Sequence, residues 1–219
     1  MFKIIVFDVY GTLYDINSLE EKCEELFPKH GALLCRQWRK RQLEYTWIRT
    51  LMKQYENFWI ITKDALCDAC DEQKLEYSYN DIKILLNEYL TLKPYSEVLD
   101  TLKQINSQKK VILSNGTNDM LNSLLNNTLL KQYFDDIVSA DERQSYKPTK
   151  EVYELVLEKT GFNRNEVLFI SSNCWDVSGA KTFGYKVCWI NRFDKKMERL
   201  GKIPDYVINN LNGLLEIVN

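Results

Sequence analysis

The feature that most restricts the fold is a short apolar run, Phe2-Lys3-Ile4-Ile5-Val6-Phe7, which stops on Asp8 and gives way to Val9-Tyr10-Gly11-Thr12-Leu13. Four apolar residues in a row, without polar alternation, read as a strand covered on both faces, as in parallel sheets flanked by helices. A carboxylate at the carboxyl end of such a strand, feeding a glycine-containing turn, lies where an open α/β sheet places a reacting group. Asp8 therefore looks like a nucleophile. Position 10 sharpens this, because phosphoryl-transferring enzymes with an aspartate opening of this kind usually carry a second acid two residues on. Here that residue is Tyr10.

The same texture recurs at Lys110-Val111-Ile112-Leu113, Val167-Leu168-Phe169-Ile170 and Tyr185-Lys186-Val187-Cys188-Trp189-Ile190, with a shorter run at Asp205-Tyr206-Val207-Ile208. Helical patterns are predicted between them at about 95–107, 117–126, 149–160 and 175–183, with a closing helix to about 218. Strand–helix alternation of this kind predicts an α/β fold with a doubly wound parallel sheet. Residues 15–93 differ: they hold long amphipathic patterns, Ala32 to Gln54 and Phe58 to Gln73, and no strand-like run bounded by turns. The expectation is a core domain built from residues 1–14 and 94–219, with an inserted all-helical cap, 15–93, over the carboxyl ends of the strands.

Composition narrows the partners. A formal net charge of −2 gives no reason to expect nucleic acid or an anionic membrane surface. No apolar stretch approaches the roughly 18 residues needed to span a bilayer. No signal peptide is read at Met1, and the six cysteines then read as reduced thiols of a cytoplasmic protein. Cys67-Asp68-Ala69-Cys70 lies in a helical pattern, where an i, i+3 pair shares a face, and no second ligand pair accompanies it. The single histidine, His30, sits in a loop-like Pro28-Lys29-His30-Gly31, so a Ser-His-Asp triad and a multi-histidine metal site are both disfavoured.

Four positions fall at strand ends: Asp8 with Tyr10 and Thr12; Ser114-Asn115-Gly116; Lys147 before Pro148; and Ser171-Ser172-Asn173-Cys174-Trp175-Asp176. Each alone has an ordinary explanation as a turn or a helix cap. Their joint recurrence at strand ends does not.

Taken in order, these motifs resemble those of the haloacid dehalogenase superfamily. The segment Trp38-Arg39-Lys40-Arg41-Gln42-Leu43-Glu44-Tyr45-Thr46-Trp47, together with Cys188-Trp189-Ile190-Asn191-Arg192, is similar to the signature of its L-2-haloacid dehalogenases. The resemblance runs from about residue 4 to about 208. It implies attack of Asp8 on C2 of an (S)-2-haloacid, an aspartyl ester, and hydrolysis to an (R)-2-hydroxyacid with loss of halide and no metal or other cofactor. Arg39 and Asn115 are implied to cradle the halide, with Phe58 and Trp175 as apolar walls and Leu43 beside them. Ser114 and the backbone N–H groups near Val9 and Tyr10 are implied to hold the substrate carboxylate. Lys147 would neutralise Asp8, and Asp176, Asn173 and Lys147 are the candidates for handling water, with Asp176 favoured as base. Thr12, Ser171 and Tyr153 look like supporting hydrogen-bonding residues. Relatives of this type are often dimers, so the resemblance extends to a homodimer. One departure stands out: where the family often has Gln after this arginine, the chain has Lys40.

Three other readings compete. A magnesium-dependent phosphatase of the superfamily would want an acid at position 10 and an acidic cluster near 171–176. A fluoroacetate-type defluorinase usually adds a histidine to the site, and His30 is poorly placed for that. A catalytically silent binding protein is open to any fold, but has little reason to keep Asp8, Arg39, Ser114, Asn115, Lys147 and Asp176 together.

Overall fold

The computed structural model describes residues 2–218. The first strand, β1 (Ile4–Phe7), is completely buried. A 3-10 turn, Ile16–Leu19, then leads into four helices: α1 (Glu20–Leu26), α2 (Gly31–Met52), α3 (Phe58–Glu72) and α4 (Tyr79–Glu88). The chain returns through α5 (Val98–Gln104), β2 (Lys109–Ser114), α6 (Asn118–Asn127), β3 (Asp136–Ser139), α7 (Lys150–Thr160) and β4 (Val167–Ser171). It ends with α8 (Cys174–Phe183), β5 (Lys186–Ile190), β6 (Tyr206–Ile208), a 3-10 turn at Leu211–Leu214 and the short α9 (Leu215–Val218).

The six strands form one parallel sheet in the order β3-β2-β1-β4-β5-β6. Strand alternation divides the core into two layers. Ile4, Val6, Val111, Phe169 and Val187 face α7 and α8, whereas Ile5, Phe7, Ile112, Leu168 and Ile170 face the opposite layer. β1 lies at the centre, and the strand order reverses between it and β4. In open α/β sheets ligands bind outside the carboxyl ends at such a point, and Asp8 and Ser171 stand there.

Most predicted elements are present within a few residues. The sequence reading overlooked β3, a four-residue edge strand with two half-buried positions. An edge strand opening on Asp135-Asp136 carries neither a continuous apolar run nor clear alternation, so periodicity has little to detect.

The helical insert has its own packing. Trp38, Leu34, Ile61, Ala65, Leu66 and Tyr89 are buried between α2, α3 and α4. Trp38 Nε1 donates to the Thr62 carbonyl at 2.7 Å, and Gln42 Nε2 donates to Thr62 Oγ1 at 2.7 Å. α3 is capped by the Asn57 side chain, which accepts from Ile60 N–H, and α4 by a capping box between Ser78 and Asp81. The two chain crossings into and out of the insert run side by side: Asp15 N–H donates to the Lys93 carbonyl at 2.9 Å and Tyr95 N–H to the Leu13 carbonyl at 3.0 Å.

Candidate active site

Asp8 leaves the end of β1 through a turn in which Gly11 adopts φ +83°, a left-handed conformation that glycine takes without strain. The Val9 carbonyl accepts N–H bonds from Thr12, Leu13 and Tyr14, which closes the loop. This folds Thr12 back onto the nucleophile position: its hydroxyl donates to Asp8 Oδ2 at 2.7 Å. Asn173 Nδ2 donates to the same oxygen at 2.8 Å and Ser171 Oγ at 3.3 Å. Oδ1 receives one donor, Lys147 Nζ, at 2.7 Å. The backbone N–H groups of Val9 and Tyr10 donate to no acceptor among the described residues.

Lys147, almost wholly buried, bridges two carboxylates. Its Nζ also lies 2.7 Å from Asp176 Oδ2 and donates to the Leu113 carbonyl at 3.1 Å. Asp176, on the first turn of α8, takes the Tyr153 hydroxyl on its other oxygen at 2.7 Å. Gly179 makes room for that phenol, since a Cβ there would come within 2.5 Å of it. One ammonium shared by two buried acids pushes their proton affinities apart. Burial raises Asp8, but Lys147, the Thr12 hydroxyl and Arg39 outweigh it and hold the carboxyl below its usual range. For Asp176 burial prevails and the negative charge of Asp8 adds to it; Lys147 offsets only part, and its pKa rises to about 6. Lys147 loses proton affinity through burial and more than regains it from Asp176 and Asp8.

Opposite this group stand side chains of the cap. Asp8, Tyr10, Asn115, Lys147 and Trp175 on the core and Arg39, Leu43 and Phe58 on α2 and α3 line one small cavity of about 10 Å3. That is about the room of one water molecule, so the side chains from core and cap stand close together here. Arg39 Nη1 is held by Gln42 Oε1 at 2.7 Å, which in turn accepts from the Tyr89 hydroxyl at 2.9 Å. Asn115 Oδ1 accepts from Lys147 N–H at 2.9 Å, leaving its NH2 as the group able to donate into the cavity. Trp47 meets the Trp175 indole edge-on at 5.7 Å between ring centroids.

Thus Asp8, Tyr10, Arg39, Leu43, Phe58, Asn115, Lys147 and Trp175 share one cavity, with Thr12, Tyr153, Ser171, Asn173 and Asp176 bonded behind it. Ser114 is fully buried at the end of β2, where its Oγ accepts from Gly116 N–H at 3.2 Å, and it is not in the cavity wall. The Tyr10 hydroxyl is buried without a partner, and burial together with Tyr89 raises its pKa well above the usual phenol value. It would stand 2.9 Å from a Cβ at position 116, which explains glycine there. Sequence reasoning missed Gln42 as the support of Arg39; its i, i+3 spacing on one helix was the available signal. It also missed Arg192 and Glu97, which form a salt bridge while Arg192 Nη2 donates to the Thr12 carbonyl at 2.9 Å. Among the described residues no three His, Cys, Asp or Glu side chains gather in a metal-binding group. Cys67 and Cys70 are free thiols on α3; burial raises both, Cys70 to about 12, so neither offers a thiolate at neutral pH.

A parallel sheet with a strand-end aspartate, a bridging lysine and a second acid under a helical cap defines a hydrolase working through an aspartate nucleophile. Residues 2–184 match the family model of haloacid dehalogenase-like hydrolases. The chain is 41% identical over 98% of its length to an (S)-2-haloacid dehalogenase of Pseudomonas sp. (strain YL), covering 94% of that protein. It is 40% identical over 99% of its length to haloacetate dehalogenase H-2 of Moraxella sp. (strain B), covering 97% of it. The solved L-2-haloacid dehalogenase from Xanthobacter autotrophicus with chloropropionic acid covalently bound superposes with a TM-score of 0.96, at 34% identity, over 100% of this chain and 98% of that one. The chain belongs to the haloacid dehalogenase-like hydrolases, and within them to the (S)-2-haloacid dehalogenase family.

Proposed function

We propose that the protein hydrolyses (S)-2-haloacids to (R)-2-hydroxyacids and halide, with Asp8 as nucleophile. The carrying observation is the asymmetry of Asp8: Oδ2 is saturated by Thr12, Asn173 and Ser171, whereas Oδ1 meets only Lys147 at the wall of a small cavity containing Arg39 and Asn115. Oδ1 keeps the free lone pair, so it is the oxygen that attacks C2 from the side opposite the halide. The halide leaves with the bonding electrons toward the Arg39 guanidinium and the Asn115 NH2, where its charge develops. Leu43, Phe58 and Trp175 keep water from that end. The unpaired N–H groups of Val9 and Tyr10 hold the substrate carboxylate, and Ser114 braces the turn that carries Asn115 through its bond with Gly116 N–H.

The product is an ester on Asp8 with Oδ2 as its carbonyl oxygen. The three donors on Oδ2 then act as an oxyanion hole when water adds to the aspartyl carbon. Asp176, with its raised proton affinity, takes the water proton, and Lys147 and Asn173 position the groups around it. Collapse returns Asp8 and releases the hydroxyacid inverted once at C2. A proton, a halide ion and a hydroxyacid result from one haloacid and one water.

Residues 1–14 and 94–219 form the core and 15–93 the cap in this reading, which the paired crossings at Asp15–Lys93 and Leu13–Tyr95 support. No described helix is long and apolar enough to cross a membrane. Six free cysteines suit a reducing, cytoplasmic setting, and a homodimer accords with the family. The test is chloride release from separated (S)- and (R)-2-chloropropionate, with and without EDTA, together with the configuration of the lactate formed. Turnover of the (R) acid alone overturns the stereochemical assignment, and dependence on metal overturns the mechanism.

A further inference from the structure

Outside the catalytic cavity lies a second, larger cleft of about 600 Å3, walled by α2 on the cap and by the segment after β5 on the core. Its lining is unusual in charge. Arg36, Arg39 and Lys40 face it from the cap and Arg192 and Lys195 from the core, against two carboxylates, Asp15 and Glu198. The cations are not equally free. Arg192 is tied to Glu97, and Lys40 lies 3.7 Å from Glu44 on an exposed surface. Even so, Arg192 keeps its Nε–H without a partner although the side chain is more than nine-tenths buried. Its guanidinium also stacks on the Tyr95 ring at 3.7 Å, so Arg192 stiffens the wall, and the freer cations of the cleft are Arg36, Lys40 and Lys195.

Two residues join this cleft to the chemistry. Arg39 lines both the cleft and the inner cavity. Asn173, on the floor of the cleft, donates directly to Asp8 Oδ2. We infer that the cleft is an outer anion site, in which Arg36, Lys40 and Lys195 collect the 2-haloacid carboxylate before Arg39 passes it inward. This inference rests on the proposed reaction and gives Lys40 a role, since its charge at the mouth raises the local concentration of small monovalent anions. An excess of one sign of charge along a cleft with low-dielectric walls focuses the field in this way. The effect acts on capture and leaves the bond-breaking step alone.

The test is a charge series at two positions outside the catalytic machinery: Lys40→Arg, Lys40→Gln, Lys40→Glu, and Lys40→Gln combined with Lys195→Gln. With 2-chloropropionate, kcat stays constant across the series. KM stays at the parent value for Lys40→Arg, rises about threefold for Lys40→Gln, and about tenfold for Lys40→Glu and for the double variant at low ionic strength. The spread shrinks as salt is raised, because screening shortens the reach of each charge to about 8 Å near physiological ionic strength. Equilibrium binding of 2-chloropropionate to the same series in an Asp8→Asn background gives the same order without turnover. Unchanged affinity across the series, or a change in kcat that Lys40→Arg does not restore, overturns the outer site. Absence of chloride release from the parent protein instead overturns the proposed reaction, and the binding series then tests the site alone.

Discussion

On the sheet side of the cavity each charged group is bound more than once. Lys147 touches two carboxylates and a carbonyl, Asp8 takes four donors, and Asp176 has one partner on each oxygen. On the cap side, Arg39 has a single hydrogen bond, to Gln42. The sheet holds its charges in one arrangement that is part of the fold; the cap offers a cation on a longer tether. In the proposed reaction nucleophile and base therefore belong to the densely bonded region, and the cap contributes to the leaving-group pocket the one cation held by a single hydrogen bond.

The contrast can be broken experimentally. Asp8→Asn keeps the shape of the sheet-side network and removes its nucleophile, so halide release should fall roughly 10^4- to 10^6-fold; a chloride assay at unchanged activity would remove Asp8 from its role. Lys147→Met leaves Asp8 and Asp176 buried and unpaired. It should abolish turnover and lower unfolding stability by about 3–5 kcal/mol in urea titration. Arg39→Gln should cost roughly 10^2- to 10^3-fold in kcat while stability changes by less than about 1 kcal/mol. Equal stability losses for the two variants would erase the distinction between the regions.

A smaller effect comes from Asp176. Its pKa is raised to about 6, so the base form is lost as pH falls through that value. kcat should then decline about tenfold per pH unit below 6, and a flat profile down to pH 5 would transfer the role of base elsewhere. Smallest is Ser78→Ala, which removes the α4 capping box in the cap. It should cost about 1 kcal/mol of stability, read from the melting transition, and leave kcat as it was.

How much of this was legible in the sequence follows the same division. Central strands announce themselves because β1 and β4 are buried on both faces, and the residues at their ends fall into recognisable motifs. β3 did not, since an edge strand needs only half its positions apolar. Asp8, Lys147 and Asp176 could be named from the chain, but one lysine serving both acids is a fact of the sheet's strand order. The cap was legible as helical, yet the Arg39–Gln42–Tyr89 chain depends on α2 meeting the end of α4, and side-chain pairing between helices leaves no periodic trace. Lys40 showed only as a departure, and its setting became visible when α2 and the segment after β5 closed on one cleft.

The hydrogen bond between Asp15 and Lys93 has one more consequence. A 79-residue excursion that leaves and returns at the same spot is topologically a plug-in: its ends already touch, so its contents can change without moving the sheet. Exchange of the whole segment between related enzymes should replace the Arg39, Leu43 and Phe58 side of the leaving-group pocket at one stroke while Asn115 and Trp175 stay with the core. Divergence among such enzymes can then proceed by swapping lids on a common reactor.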